Sequence, residues 1–382
     1  MIVRIRDVVN RVNNNIDRFN TDIKYYLGKG HGECGELAIT EHGDLKKDVG
    51  LLGFKFHFAF KPGDSLFFSR SFALRKAGMA TYEGLCSDST YILRSKDNNV
   101  LLPEYLPIVI QSESFWDYCN THHTGGVNFL INWNTLADYE FDLPPLEEQR
   151  ILADKLWAAY RLKESYKKLL TATQEMVKSQ FIEMFGNPLS SIQKHELKKL
   201  GDCCQINPRR PSVSISDSDL VSFVPMPAVN EDGYIDGATN EEYGKVKKGF
   251  TYFENNDVLF AKITPCMENG KGAIAEALTN GIGMGSTEFH VLRPIEGISN
   301  PYWLLTLTRM PIFRECAAKN MSGTGGQRRV GAAFLENFMI GLPSISEQET
   351  FETIYKQADK SEFELRKSIE AIDQVIKSLI NN

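Results

Sequence analysis

The sequence predicts an α+β protein made by tandem duplication: an irregular mixed domain and a long helix, then the same pair again. Three observations predict it. Short motifs recur in the same order roughly 200 residues apart, which is how a repeated structural unit reads in one dimension. Runs of β-type residues are broken by Gly, Pro and Asn throughout the long first part of each repeat. Each repeat then closes on a stretch without Pro or Gly whose apolar residues fall at helical spacing.

The duplication rests on five anchors. Arg4-Ile-Arg-Asp-Val-Val9 returns as Lys199-Leu-Gly-Asp-Cys-Cys204, and Pro62-Gly-Asp-Ser-Leu-Phe67 returns as Asn255-Asn-Asp-Val-Leu-Phe260. Ser89-Thr90 matches Ser286-Thr287, and Thr124-Gly-Gly126 matches Thr324-Gly-Gly326. Asp142-Leu-Pro-Pro-Leu-Glu-Glu-Gln149 matches Gly341-Leu-Pro-Ser-Ile-Ser-Glu-Gln348. Four segments follow: mixed domains over 1–143 and 187–343, and helices over 144–186 and 344–382. Within the domains Leu52–Phe60, Ser65–Ser69, Asp257–Ala261 and Phe289–Leu292 read as strands, and Pro301–Glu315 as a helix.

The first long helix starts at the Pro144-Pro145 corner, runs from Leu146 to Phe185, and should stop at Gly186-Asn187-Pro188. At 1.5 Å per residue it is a rod of about 60 Å. Its partner runs from Ser346 to Ile380, with Phe351, Ala358, Leu365, Ile372 and Leu379 on a seven-residue repeat seconded by Tyr355, Ile369 and Ile376. Leu156, Leu170, Val177 and Met184 repeat in the same way on the first helix, with Lys163 interrupting. Such seams are coiled-coil signals, and two rods in one chain most simply pack on each other; the alternative is an amphipathic helix buried on its own domain.

Length and composition narrow the class. The chain has 382 residues, 42% hydrophobic and 24% charged, so it is globular rather than disordered. The net charge is −6 and no segment is basic as a whole, so any nucleic-acid contact must come from local clusters. No apolar run approaches the ~18–20 residues that span a bilayer, and the opening Met1-Ile-Val-Arg-Ile-Arg6 lacks a signal-peptide core, so no membrane association is expected. Seven cysteines at irregular spacing, with no CxxC, read as small core residues in a reducing, cytoplasmic setting.

Motifs of catalysis are missing from the sequence. It has no phosphate-binding GxxxxGK[ST], and none of the seven histidines forms a metal-ligand pair spacing. Gly281-Ile-Gly-Met-Gly285 reads as a turn rather than a dinucleotide loop. Glu254 to Lys262 only faintly echoes a nuclease, and Pro144-Pro145 lacks the flanking amide and aromatic ring of amino-methyltransferases.

What remains is a set of polar loops at equivalent places in the two repeats. Asn207-Pro-Arg-Arg-Pro211 braces Arg209 and Arg210, and its counterpart holds Arg11, Asn13 and Asn14. Met321–Arg329 combines Ser322, Thr324, Gln327, Arg328 and Arg329, and its counterpart holds His122, His123 and Thr124. Lys262, Thr264 and Lys271 follow one strand, while Arg70, Arg75 and Lys76 follow its match. Arg, Lys, Gln, Asn, Ser and Thr are the side chains that pair with phosphate oxygens and base edges. A single such cluster is an ordinary solvated turn; matched clusters suggest two copies of one binding surface.

These features together resemble the specificity subunit of type I restriction-modification systems. The resemblance covers essentially the whole chain and is most specific at Leu143-Pro-Pro-Leu-Glu-Glu-Gln-Arg-Ile151, at the helix exit Ser179–Pro188, and at Asp257–Lys262. It implies that each mixed domain is a target recognition domain reading half of a split site in double-stranded DNA. It implies that the helices form an antiparallel coiled coil that sets the spacing of the two readers and docks two copies of a DNA methylation subunit, and through it a restriction/translocase subunit. Leu156, Leu170, Val177, Phe181, Phe185, Tyr355, Leu365, Ile372 and Ile376 are the residues assigned to that subunit interface. The chain would be non-catalytic and bind no cofactor, with S-adenosylmethionine, and ATP with magnesium, on the partners. Arg209, Arg210, Lys262 and Lys271 would hold phosphates, and Ser322, Thr324, Gln327 and Arg328 would reach bases. The second corner departs from the pattern by one proline and one glutamate, and Val127 stands where the second repeat has Gln327. The rival reading is a two-repeat protein-interaction adaptor without DNA specificity.

Overall fold

The computed structural model describes residues 1–70, 72–125, 129–187, 195–212, 214–324 and 326–381. They form two compact units, Met1–Lys168 with Arg366–Asn382, and Leu169–Leu365. Each unit holds one mixed domain and a stretch of both long helices, Leu146–Phe185 and Ile345–Asn381.

In the first unit, Ile2–Arg4 pairs antiparallel with Glu140–Asp142 and brings the two ends of the domain together. One sheet follows the order Val9–Val12, Thr90–Ser95, Ser65–Phe68, Ala77–Ala80, Ala38–Ile39. The other follows Gly43–Asp44, Tyr25–Leu27, Gly84–Ser87, Phe56–Phe60, with the middle two strands parallel.

The second unit repeats this strand order, without a counterpart of Ala38–Ile39. Leu197–Lys199 pairs with Met339–Gly341. Cys204–Ile206, Phe289–Pro294, Val258–Ala261 and Gly272–Ile274 form one sheet in that order. Thr239–Glu242, Leu220–Val224, Ile282–Gly285 and Thr251–Glu254 form the other, again with the middle pair parallel. Pairing also refines two anchors. Tyr25–Leu27 runs beside Gly84–Cys86, and Ser222–Val224 beside Gly283–Gly285, so Ser87 rather than Ser89 stands where Ser286 does. Thr124 faces Leu130 and Ser322 faces Arg329, so Ser322 rather than Thr324 is the counterpart of Thr124 by pairing.

The glycine run Gly281–Gly285 is not a turn. Ile282–Gly285 is a buried strand, and a Cβ at Gly285 would lie 2.5 Å from the Val224 carbonyl oxygen. Close approach of backbone, rather than a bend, is what requires glycine there. The helix expected over Pro301–Glu315 is two, Pro301–Arg309 and Pro311–Lys319, because Pro311 has no N–H to continue the first. Glu254 and Lys262 carry no paired chemistry: Glu254 pairs with Arg293 at 3.0 Å.

Both repeats use the same two polar devices. Asp64 and Asp257, each 1% exposed, follow a left-handed residue (Gly63 or Asn256) and close the turn into a central strand by accepting the Lys61 or Glu254 amide at 2.9 and 2.7 Å. A fork from Arg94 or Arg293 grips each carboxylate. At the corner, Gln149 and Gln348 are buried and each makes three backbone hydrogen bonds that tie the helix start to a domain loop. The proline and glutamate lost from the second corner are offset locally. Ser344 caps the helix, exchanging hydrogen bonds with the Glu347 amide and carboxylate at 3.3 and 2.8 Å.

Within each unit the helices run antiparallel. In the first, Leu156, Trp157 and Tyr160 share a core with Ile376, Ile372 and Leu379, and Lys163 meets Asp373 at 2.9 Å. In the second, Gln174 meets Glu362 at 3.2 Å, while Phe181 and Phe185 pack on Phe351 at ring separations of 5.3 and 5.5 Å. Lys163, the break in the seven-residue repeat, joins Glu36 of the domain to Asp373 of the other helix. Four of the seven cysteines, Cys86, Cys119, Cys203 and Cys204, are buried as expected; Cys34 is exposed and Cys266 and Cys316 half-buried. Burial pushes the Cys119 thiol up to about 12, leaving it unreactive.

Leu156, Val177, Phe181, Phe185 and Ile376 are buried in the cores of their own units. Assignment of these five to an interface with another subunit is therefore corrected: their surface is already spent on packing inside the chain. Leu170, Tyr355, Leu365 and Ile372 are half-buried. The sequence could not separate seam from docking face, because both repeat with the same period.

Candidate nucleic-acid interface

In the second unit the predicted residues converge on one sheet edge. Met321–Ser322 and Arg329–Val330 form a short hairpin, and its return strand is bound in place when the Val330 amide donates to the Lys262 carbonyl at 2.9 Å. The loop after Lys262 reaches the same hairpin. Thr264 donates its hydroxyl to the Gly326 carbonyl at 2.6 Å and accepts the Arg328 amide at 3.1 Å. Ser322, Thr324, Gln327 and Arg328 are exposed along this edge, with Lys262 half-buried behind them.

His290 joins this edge to the Asn207–Pro211 loop. Its Nε2 lies 2.8 Å from the Val330 carbonyl and its Nδ1 2.9 Å from the Asn207 amide nitrogen. Burial lowers its pKa, so the neutral ring donates at Nε2 and accepts at Nδ1. Asn207 is itself left-handed at φ 51° and accepts the Val291 amide at 3.1 Å. Arg209 and Arg210 follow it exposed, with Arg210 donating to the Lys247 carbonyl at 2.6 Å. Lys271 ends the same loop that Lys262 begins, held by its amide on the Cys266 carbonyl at 3.0 Å.

The two hairpin arginines differ. Arg329 grips Glu288 through Nε and Nη2 at 2.9 and 2.8 Å and gives Nη1 to the Gln327 carbonyl at 3.3 Å. Its hydrogen bond holds the Glu288 carboxyl below the usual range. Arg329 is thus a strut of the hairpin rather than a free contact, a correction to its place among the DNA-binding residues. Arg328 meets Glu268 through Nη2 at 3.2 Å.

The first unit has the same frame with other side chains. The Ile131 amide donates to the Ser69 carbonyl at 3.1 Å, as Val330 does to Lys262, and Tyr91 replaces His290, its hydroxyl donating to the Ile131 carbonyl at 2.9 Å. Arg11 lies over the Tyr91 ring at 4.2 Å, and Asn13 and Asn14 are exposed beyond it. Thr124 is exposed and bonds Leu130 in both backbone directions. His122 stacks on Tyr118 at 4.1 Å, and half-buried His123 packs on Phe129 at 4.5 Å. Arg70 is exposed beside a cavity of about 590 Å³ walled by Phe56, Phe68, Phe129 and Leu130. Gly126 and Val127, and with them the comparison to Gln327, lie outside the described residues, as does Pro188 at the expected helix stop.

Arg75 does not join this edge. Its guanidinium forks onto Glu113 at 2.6 and 2.6 Å beside a cavity lined by Glu36 of the domain and by Tyr160 and Asp373 of the long helices, so its place among the DNA-binding residues is corrected. Lys76 points its ammonium to the Lys29 carbonyl at 3.4 Å. Sequence reasoning missed Glu268, Glu288, His290, Tyr91 and Phe129. The duplication held a signal for two of them, since Tyr91 and His290 occupy the same place in matched strands.

Fold and site together define a class: a duplicated α+β domain that presents exposed polar and cationic side chains at one sheet edge. Residues 193–374 match the type I restriction modification DNA specificity domain. The second repeat therefore carries a match to that domain, the one the sequence motifs indicated.

It is 39% identical over 178 residues to the type I restriction enzyme EcoAI specificity subunit of Escherichia coli, a match covering 44% of this chain and 30% of that one. It is 36% identical over 189 residues to the EcoEI specificity subunit of the same organism, covering 47% and 31%. The chain thus spans under a third of the length of these relatives. Two solved structures cover all of it. The S subunit of a type I restriction-modification system from M. genitalium has a TM-score of 0.58 at 12% identity, with 94% of that chain covered. A chain from a type I R-M system, solved to explain complex assembly and conformational transition, has a TM-score of 0.54 at 15% identity, with 96% covered. At these identities what is shared is the fold.

Proposed function

We propose that this chain is the DNA-specificity subunit of a type I restriction-modification complex, in which each unit reads one half of a split double-stranded site. The observation that carries the reading is the return, in the first unit, of both four-strand orders of the matched DNA specificity domain, with the Thr124–Leu130 bridge where the second unit has its hairpin. Arg209, Arg210, Lys262 and Lys271 position the duplex through its phosphates, a contact without sequence information. Ser322, Thr324, Gln327 and Arg328 meet base edges. In the first unit Arg11, Asn13, Asn14, Arg70, Lys76, His122, His123 and Thr124 take the equivalent places.

The chain is a non-catalytic component. Two methylation subunits carry S-adenosylmethionine, and a restriction/translocase subunit carries ATP with magnesium. Because the seam is buried, docking falls to exposed apolar residues of the helices, such as Leu169, Met176 and Phe363, at 52%, 41% and 64% exposure. Among the described residues no helix is long and apolar enough to cross a membrane. The proposed location is the cytoplasm, where the DNA is.

The test is to co-express the full chain with its methylation subunit and map modified bases on plasmid DNA. A motif of two short halves around an unspecified spacer is expected, and exchange of residues 187–343 should change one half alone. DNA affinity should fall steeply with salt, as release of several counterions requires. Salt-insensitive binding with no mapped motif would favour a protein-interaction adaptor.

A further inference from the structure

We infer that one structural position, filled by Arg328 in the second unit and by Phe129 in the first, reads a base in each half of the site. The two halves of the site accordingly differ in chemistry, guanine in one and a thymine methyl in the other. This rests on the DNA-specificity reading above.

The equivalence comes from backbone pairing. The Val330 amide donates to Lys262 and the Ile131 amide to Ser69, while the Lys262 and Ser69 amides donate to the carbonyls of Glu288 and Ser89. His290 and Tyr91 then hold the Val330 and Ile131 carbonyls. Counting back from Val330 and Ile131 pairs Arg329 with Leu130 and Arg328 with Phe129, and Glu288 pairs with Ser89.

The chemistry at these matched places is opposite. In the second unit Glu288 and Arg329 neutralise each other, and all three Arg329 guanidinium nitrogens have acceptors. Arg328, 47% exposed, is engaged only through Nη2 by Glu268 among the described residues. A guanidinium steadied at one corner and open at the others is the group that forks onto guanine O6 and N7. In the first unit Ser89 and Leu130 replace the ion pair, beside a cavity of about 590 Å³ with one aromatic wall, Phe56, Phe68 and Phe129, and one polar wall, Ser87, Ser89 and Thr90. Phe129, 42% exposed, stands at its mouth, with Arg70 and Lys29 beside it to meet phosphate. An aromatic wall fits the C5 methyl of thymine, the apolar feature of the major groove.

Base-modification mapping of the co-expressed complex tests this. Arg328→Ala should relax a guanine in one half by about ten- to a hundredfold and leave the other half intact. Phe129→Ala should relax an A·T pair in the other half. Arg328→Lys keeps the charge and loses the fork, so it should relax the same guanine; it also serves if the alanine variant is poorly folded. A motif unchanged in both halves for Arg328→Lys or Phe129→Ala would overturn the inference, as would a parent motif without guanine in the half that residues 187–343 determine. A parent complex that modifies no split motif would instead overturn the specificity reading, and this inference with it.

Discussion

Gln348 accepts the Asn300 backbone amide on its Oε1 at 2.9 Å, and in the other repeat Gln149 accepts the Leu102 amide at 3.0 Å. Each glutamine then donates twice from Nε2, to Ile298 and Pro343 or to Val100 and Pro144. The last glutamine of the corner motif thus fastens the helix start to the domain it leaves. Gln348→Leu leaves one amide and two carbonyls without partners, at a cost of about 2–4 kcal/mol. The urea midpoint should fall with little change in slope. A midpoint within error of the parent would show that the clamp adds nothing.

Asp257 and Arg293 pair at 2.8 and 2.7 Å with the carboxylate buried and the guanidinium half-exposed. Removing one partner of such a pair costs about 3–5 kcal/mol, because the other charge stays desolvated. Arg293→Ala, which strands the buried Asp257 carboxylate without a counter-charge, should therefore lower thermal stability more than Asp257→Ala, after which the half-exposed Arg293 keeps Glu254 at 3.0 Å. Melting curves of both variants decide the order.

The long helices were legible nearly to the residue, since 40 residues without Pro or Gly between a Pro-Pro corner and a Gly have one plausible fate. The duplication was legible from its polar anchors, and those anchors proved to be the devices that hold turns and helix starts. What was not legible came from tertiary pairing. Ile282–Gly285 is a strand because its glycines let Phe253 and Val224 approach, which no local propensity reports. Arg75 and Arg329 read as free cations until the fold placed Glu113 and Glu288 against them. Lys163 read as a fault in the seam, whereas it joins a domain loop to both helices.

The glycine strand carries its own prediction. At Gly285 an added Cβ meets the Val224 carbonyl oxygen at 2.5 Å, and that carbonyl belongs to the paired strand and cannot retreat alone. Gly285→Ala should destabilise the second unit by about 1–3 kcal/mol or more through overpacking. Gly50→Ala is the control for added bulk: a Cβ there meets nothing within 4 Å and the backbone is not left-handed, so stability should change little. Equal losses in the two variants would argue against the close-approach explanation.

Glu36 sits beneath Lys163 and Lys167, 3.1 and 3.0 Å from their ammonium groups, with its side chain 13% exposed. Burial alone would push its carboxyl up, but hydrogen bonds and charge from the two lysines outweigh burial and hold it below the usual value. A carboxyl whose pKa is lower folded than unfolded stabilises the fold fully above its unfolded value, near 4.5, and that contribution is lost as pH falls through the folded value. Lys163 is shifted up in the folded state, so its share is present at neutral pH and is lost only in the alkaline range. Glu36→Gln removes the acid-sensitive part while keeping the shape. It should cost about 1–3 kcal/mol at pH 7, because Lys163 and Lys167 lose Glu36 but keep Asp373 and Glu164 at 2.9 and 3.2 Å. As pH falls below 4.5 and through the lowered folded value the parent carboxyl protonates as well, and the two proteins should converge. Unfolding of both at pH 7 and at a series of acid pH values measures the gap; a gap that never narrows in acid would mean that Glu36 acts through shape and not through charge.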